Sequence, residues 1–62
     1  MLKLTLHDGR VVALNWNKIV HIIVTQDDES GAEYSRILLE GEQNVDVVES
    51  LEDVTKAIAA LK

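Results

Sequence analysis

The sequence predicts an α+β domain: a small antiparallel β-meander of about five short strands, followed by one C-terminal α-helix packed on one face of the sheet. Three observations lead there. Up to about residue 49, short runs of apolar and polar residues alternate with the period of two that marks half-buried strands, and Gly, Asn, Asp and Ser break the runs at intervals. Beyond Ser50 the apolar residues change to helical spacing. The chain has 62 residues, which suits a single domain, 1–62, with little room for more than one layer on the sheet.

The first strand spans about 2–7, where Leu2, Leu4 and Leu6 alternate with Lys3, Thr5 and His7. Asp8-Gly9 signals a hairpin into a second strand at about 10–15. A two-residue turn would pair Leu4 with Ala13. A three-residue loop, His7-Asp8-Gly9 with Gly9 left-handed, pairs Leu4 with Val12 and Leu2 with Leu14 and gathers the large apolar side chains on one face. The second register is the one predicted. Asn15-Trp16-Asn17 breaks the pattern, and a β-branched run at about 18–25 forms the third strand. Gln26 to Ala32 is a polar loop, a fourth strand covers about 33–39, Glu40-Gly41-Glu42 turns the chain, and a fifth strand covers about 44–49. The helix, about 51–61, starts behind Ser50 as N-cap. Leu51, Val54, Ile58 and Leu61 form its apolar stripe, and Ala57 and Ala60 allow close approach. Glu52 and Asp53 at its start, with Lys56 and Lys62 later, complement the helix dipole.

Composition narrows the function. There is no Cys, which removes disulfides and thiolate metal sites, and His7 and His21 are too few for a structural zinc site without thiols. Apolar residues make up 47% of the chain, with no Phe, one Trp and one Tyr, so the core is aliphatic. A domain this small buries only about 60% of its unfolded surface, and self-association is the compensation predicted. The net charge of −5 is concentrated in residues 27–53, which hold ten carboxylates against Arg36 alone. Such a domain repels phosphates, so no nucleic acid partner is predicted. The apolar runs, such as Ile22-Ile23-Val24, fall far short of the roughly 20 residues a bilayer needs. Residues 1–7 alternate where an export signal would run apolar. The expectation is no membrane insertion and a cytoplasmic protein.

No residue pattern points to catalysis, to a cofactor or to a metal. Asp27, Asp28 and Glu29 lack the ligand spacing of a calcium loop and read as a solvated turn. His7 beside Asp8 has no pocket implied around it, and no Ser or Thr has a base and an orienting group assigned to it. Gly9, Gly31 and Gly41 are isolated turn glycines.

The informative feature is the third strand, which is apolar on both sides. Alternation puts Val20, Ile22 and Val24 on one face, and Ile19 and Ile23 flanking His21 on the other. In the fourth strand Ile37 and Leu39 point inward, with Tyr34 and Leu38 opposite. One helix covers one face of a sheet, so the second face is predicted to meet another molecule. Trp16 has two readings: it folds back to cap the core, or it anchors an interface. The interface candidates are Trp16, Ile19, His21, Ile23, Tyr34 and Leu38.

Met1-Leu2-Lys3-Leu4-Thr5, Asp8-Gly9-Arg10, Leu14-Asn15, Ile19 and Ile22 resemble the opening of the small flagellar FlbD family, the SwrD-type swarming motility proteins. Ile37-Leu38-Leu39 with Gly41, then Val48-Glu49-Ser50 with Val54 and Ile58, is similar to that family's close. The chain departs from the pattern at Trp16, where the family usually has Pro, in a longer stretch from Gln26 to Ser35, and in its acidity. The resemblance implies an accessory protein in motility or a related assembly, and it carries over no catalytic residue. Val48-Glu49-Ser50-Leu51-Glu52 leading into a helix also resembles LytTR-type DNA-binding domains, which are longer and which this charge opposes.

The expectation is therefore a non-enzymatic interaction protein, a homo-oligomer held by the apolar second face of its sheet. The alternative is a monomeric adaptor that offers Trp16 and the acidic loop to a basic protein partner. A LytTR-like regulatory nucleic-acid binder is the third reading.

Overall fold

In a computed structural model, which describes residues 1–61, the chain forms five antiparallel strands in two sheets and one C-terminal helix packed against them. The first sheet is the hairpin of β1 (Leu2–Thr5) and β2 (Val11–Leu14). Leu2 faces Leu14 and Leu4 faces Val12, the register predicted from side-chain size. The Leu6 N–H donates to the Arg10 carbonyl at 2.8 Å and the Gly9 N–H to the Leu6 carbonyl at 3.0 Å, which closes the loop His7-Asp8-Gly9. Gly9 sits at φ 89°, a conformation that a Cβ would strain.

After a single turn of 3₁₀ helix at Trp16–Lys18, β3 (Ile19–Gln26), β4 (Glu33–Leu39) and β5 (Gln43–Val47) make the second sheet in that order. The consecutive pairing of a meander is thus interrupted between β2 and β3. The three tight reversals each contain a left-handed residue: Gly9, Gly31, and the pair Gly41 and Glu42. The segment 15–18 contains none, and it carries the chain onward instead of folding β3 back on β2. The two sheets join elsewhere, between β1 and β5. Leu6 bridges Val47, and the Val48 N–H donates to the Thr5 carbonyl at 2.9 Å.

The core draws on all parts of the chain. Leu2, Leu4 and Leu14 from the hairpin, Ile37 and Val47 from the second sheet, and Val54 from the helix are buried together. Ser35, the buried polar residue among them, donates its hydroxyl to the Glu49 carbonyl at 2.7 Å, so its burial leaves no orphaned group.

Helix α1 (Leu51–Leu61) lies against β1 and β3. Ser50 caps it as predicted: its Oγ accepts from the Asp53 N–H at 3.1 Å, and its carbonyl accepts from the Val54 N–H. Val54, Ala57 and Ile58 face the core. Leu51 and Leu61, predicted for the same stripe, are instead 39% and 41% exposed. Lys62 and its predicted part in the helix dipole lie outside the described residues.

Candidate interaction surface

The surface is built around β3, the longest strand. A β-bulge between Ile19 and His21 changes its side-chain alternation: Ile19 faces Leu39, whereas His21 faces Leu38. This corrects the predicted facing of two residues. Ile19, placed by alternation beside Ile23 and His21, shares the inner face with Ile22, Ile37 and Leu39 and packs against the core. Val20, predicted to share a face with Ile22 and Val24, is the bulge residue and is 59% exposed. Trp16 is half-buried and packs against the core cluster, as the capping reading expects.

The outer face keeps His21, Ile23, Tyr34 and Leu38 together. Across the sheet, His21 is opposite Leu38 and then Asn44, Ile23 is opposite Arg36 and then Asp46, and Thr25 is opposite Tyr34. Its centre is polar, which the strand pattern did not reveal. Arg36 reaches Asp46 with two parallel bonds, Nε to Oδ1 at 2.9 Å and Nη2 to Oδ2 at 3.2 Å. The hydrogen bond from Arg36 holds the Asp46 carboxyl below its ordinary range, against a smaller opposing effect of burial and with help from the charges of Arg36 and His7. The same bond raises Arg36. The His7 ring meets the Tyr34 ring edge-on, with centroids 5.0 Å apart, so the first loop folds over one corner of this face.

The rim of β3 is open. Within its sheet β3 pairs with β4 alone, and Ile23 and Val24 are 45% and 43% exposed. The hydrogen-bond alternation can be read from the loop at its end, where the Asp27 N–H donates to the Ala32 carbonyl at 2.9 Å. Counting back in an antiparallel ladder, Thr25 and Ile23 bond to β4, while the N–H and C=O groups of Ile22, Val24 and Gln26 point away from it. Exposed side chains and outward main-chain groups therefore coincide on one strand.

Two depressions flank β3. One, of about 400 Å³, lies between the start of α1 and the end of β3 and is bordered by Val24, Val48 and Leu51 with Tyr34 and Ser35. The other, of about 460 Å³, is polar and bordered by His7, Tyr34 and the acidic turn Asp27–Glu29. Among the described residues no group of three or more His, Cys, Asp or Glu side chains could hold a metal ion, and no helix is long and apolar enough to cross a membrane.

Sequence reasoning missed Glu49. Both of its carboxylate oxygens accept from the Thr5 N–H, at 2.9 and 3.0 Å, while its carbonyl accepts from Ser35. Only knowing that β1 meets β5 identifies this role. No family model, no curated protein and no solved structure matches the chain.

Proposed function

We propose that this chain is a non-enzymatic interaction protein that self-associates through the surface of β3. The observation that carries this reading is the concentration of exposed apolar side chains on that strand: Val20, Ile23 and Val24 all lie on an element whose outer rim has no neighbour in the sheet. A domain of this size has little core with which to offset such exposure, and an eight-residue edge strand with five aliphatic residues favours association. The outer face contributes Ile23, Leu38 and Tyr34 as contacts around the Arg36–Asp46 pair. The resemblance to the FlbD family adds a setting, an accessory role in a motility-type assembly.

Light scattering across a concentration series tests this. The wild-type chain forms a dimer or larger assembly at micromolar concentration. Ile23→Lys dissociates it while the circular dichroism of the fold is retained. A wild-type monomer at every concentration rejects the reading.

A further inference from the structure

Three features compete for a partner: the acidic turn after β3, the apolar depression beside α1, and the open rim of β3. The acidic turn contains its own satisfaction, since the Glu29 N–H donates to the Asp27 carboxylate at 2.9 Å and Asp27 closes the loop on both sides. The depression is open to solvent, and no buried side-chain polar atom among the described residues lacks a partner to aim into it. The rim of β3 differs from both, because its chemistry specifies what fits it.

We propose that a second copy of this chain pairs edge to edge with β3, antiparallel about a two-fold axis at Ile23, which joins the two three-stranded sheets into one continuous sheet. The proposal rests on the reading of a self-associating protein and adds the mode and the register. In such a pair Ile23 meets its own counterpart and each flanking residue meets one from the other side of the axis, so a strand without charges brings no like charges together. Ile19–Gln26 reads IVHIIVTQ, with no carboxylate, lysine or arginine, in a chain of net charge −5.

The flanks favour the same arrangement. Lys18 precedes the strand and Asp27 and Asp28 follow it. Antiparallel pairing centred on Ile23 brings the Lys18 end of each copy toward the Asp27–Asp28 end of the other, beyond the paired segment; Lys18, which lies 3.6 Å from Glu40 within its own chain, adds a positive charge to that side. A parallel arrangement would set the carboxylates against each other.

The main chain fixes the register. Only Ile22, Val24 and Gln26 present N–H and C=O groups to the rim, so a second strand must bond to those positions. With the axis at Ile23, Ile22 and Val24 of one copy exchange hydrogen bonds with Val24 and Ile22 of the other. Ile23 then faces its own counterpart at a close, non-hydrogen-bonded position on the outer face. The bulge at Val20 ends the regular rim on one side and limits the pairing to this central segment.

Residue-resolved amide hydrogen exchange on the wild-type chain, at concentrations below and above the association midpoint, tests this. In the monomer Ile23 and Thr25 are protected by β4, while Ile22 and Val24 exchange quickly. On association Ile22 and Val24 become protected by about tenfold or more, and Ile23 and Thr25 change little. An independent test uses the absence of cysteine. Ile23→Cys forms a disulfide dimer under mild oxidation, because facing non-hydrogen-bonded positions suit disulfide geometry, and Val11→Cys on β2 does not. If the chain associates but Ile22 and Val24 stay unprotected and Ile23→Cys fails to cross-link, edge pairing is rejected and self-association through the outer face stands. If the chain is monomeric throughout, both fall.

Discussion

The molecule has two comparable strand rims and treats them in opposite ways. β1 turns the outward N–H and C=O of Thr5 toward β5, and both are satisfied: the carbonyl by the Val48 N–H at 2.9 Å, the N–H by the Glu49 carboxylate at 2.9 and 3.0 Å. β3 turns Ile22, Val24 and Gln26 outward with no strand beside them. The sealed rim belongs to a strand of four residues and the open rim to one of eight. Where strand length is small, a single side chain completes the ladder. A long rim needs a whole strand, and this chain has none left to give it. β3 is therefore an open edge, as is the outer side of the shorter β2, which pairs with β1 alone.

The largest way to break this contrast is to remove what both sheets share. Leu4 lies in the common core at 2% exposure, and Leu4→Ala costs about 2–5 kcal/mol. A chain of this length has about 3–9 kcal/mol in all, so the variant loses a large share of its stability and its urea midpoint falls steeply. Both sheets melt together, and circular dichroism and Trp16 fluorescence trace coincident curves. Separate transitions would show that the two sheets fold independently.

Next is the seal. Glu49→Ala leaves the Thr5 N–H without its acceptor and destabilises by about 1–3 kcal/mol in urea denaturation. Glu49→Gln retains one acceptor oxygen and loses less. If Glu49→Ala unfolds at the wild-type urea concentration, the carboxylate is not what closes this rim.

Ile23→Lys acts on the open rim. Its effect on the stability of the isolated subunit stays within about 1 kcal/mol, since the side chain is 45% exposed and lies outside the core, and the main change falls on assembly. A large loss of subunit stability would show that Ile23 supports the fold.

The smallest effect concerns pH. Because Arg36 holds Asp46 below the ordinary carboxylate range, the pair contributes stability above that range and loses it as pH falls through the lowered value. Asp46→Asn removes this component, so the difference between wild type and variant shrinks in acid. A difference that is constant from neutral pH to acid would show that the ion pair contributes nothing through ionisation.

Most of the local structure was legible. The His7-Asp8-Gly9 loop and the Leu2–Leu14 register followed from matching large apolar side chains across a hairpin, because only one register buries them together. Ser50 was readable as a cap because the orphaned N–H groups of a helix start select such a side chain. Which face each residue of β3 and β4 occupies was legible only in part. His21, Ile23, Tyr34 and Leu38 do share the outer face, but the bulge at Val20 moved Ile19 inward, and strict period-two counting cannot detect one extra residue in a strand of mixed aliphatics.

What the sequence by itself determined is the set of elements, their order, and the turns between them, since propensity, capping and alternation act over a few neighbouring residues. The tertiary structure alone decided that β1 meets β5 and not β3, that Glu49 seals that seam, that Arg36 and Asp46 occupy the centre of the outer face, and that β3 keeps an open rim. These depend on which distant segments the shared core of Leu2, Leu4, Leu14, Ile37, Val47 and Val54 draws together. Burial of apolar surface is non-directional, so no local pattern encodes which partners it selects.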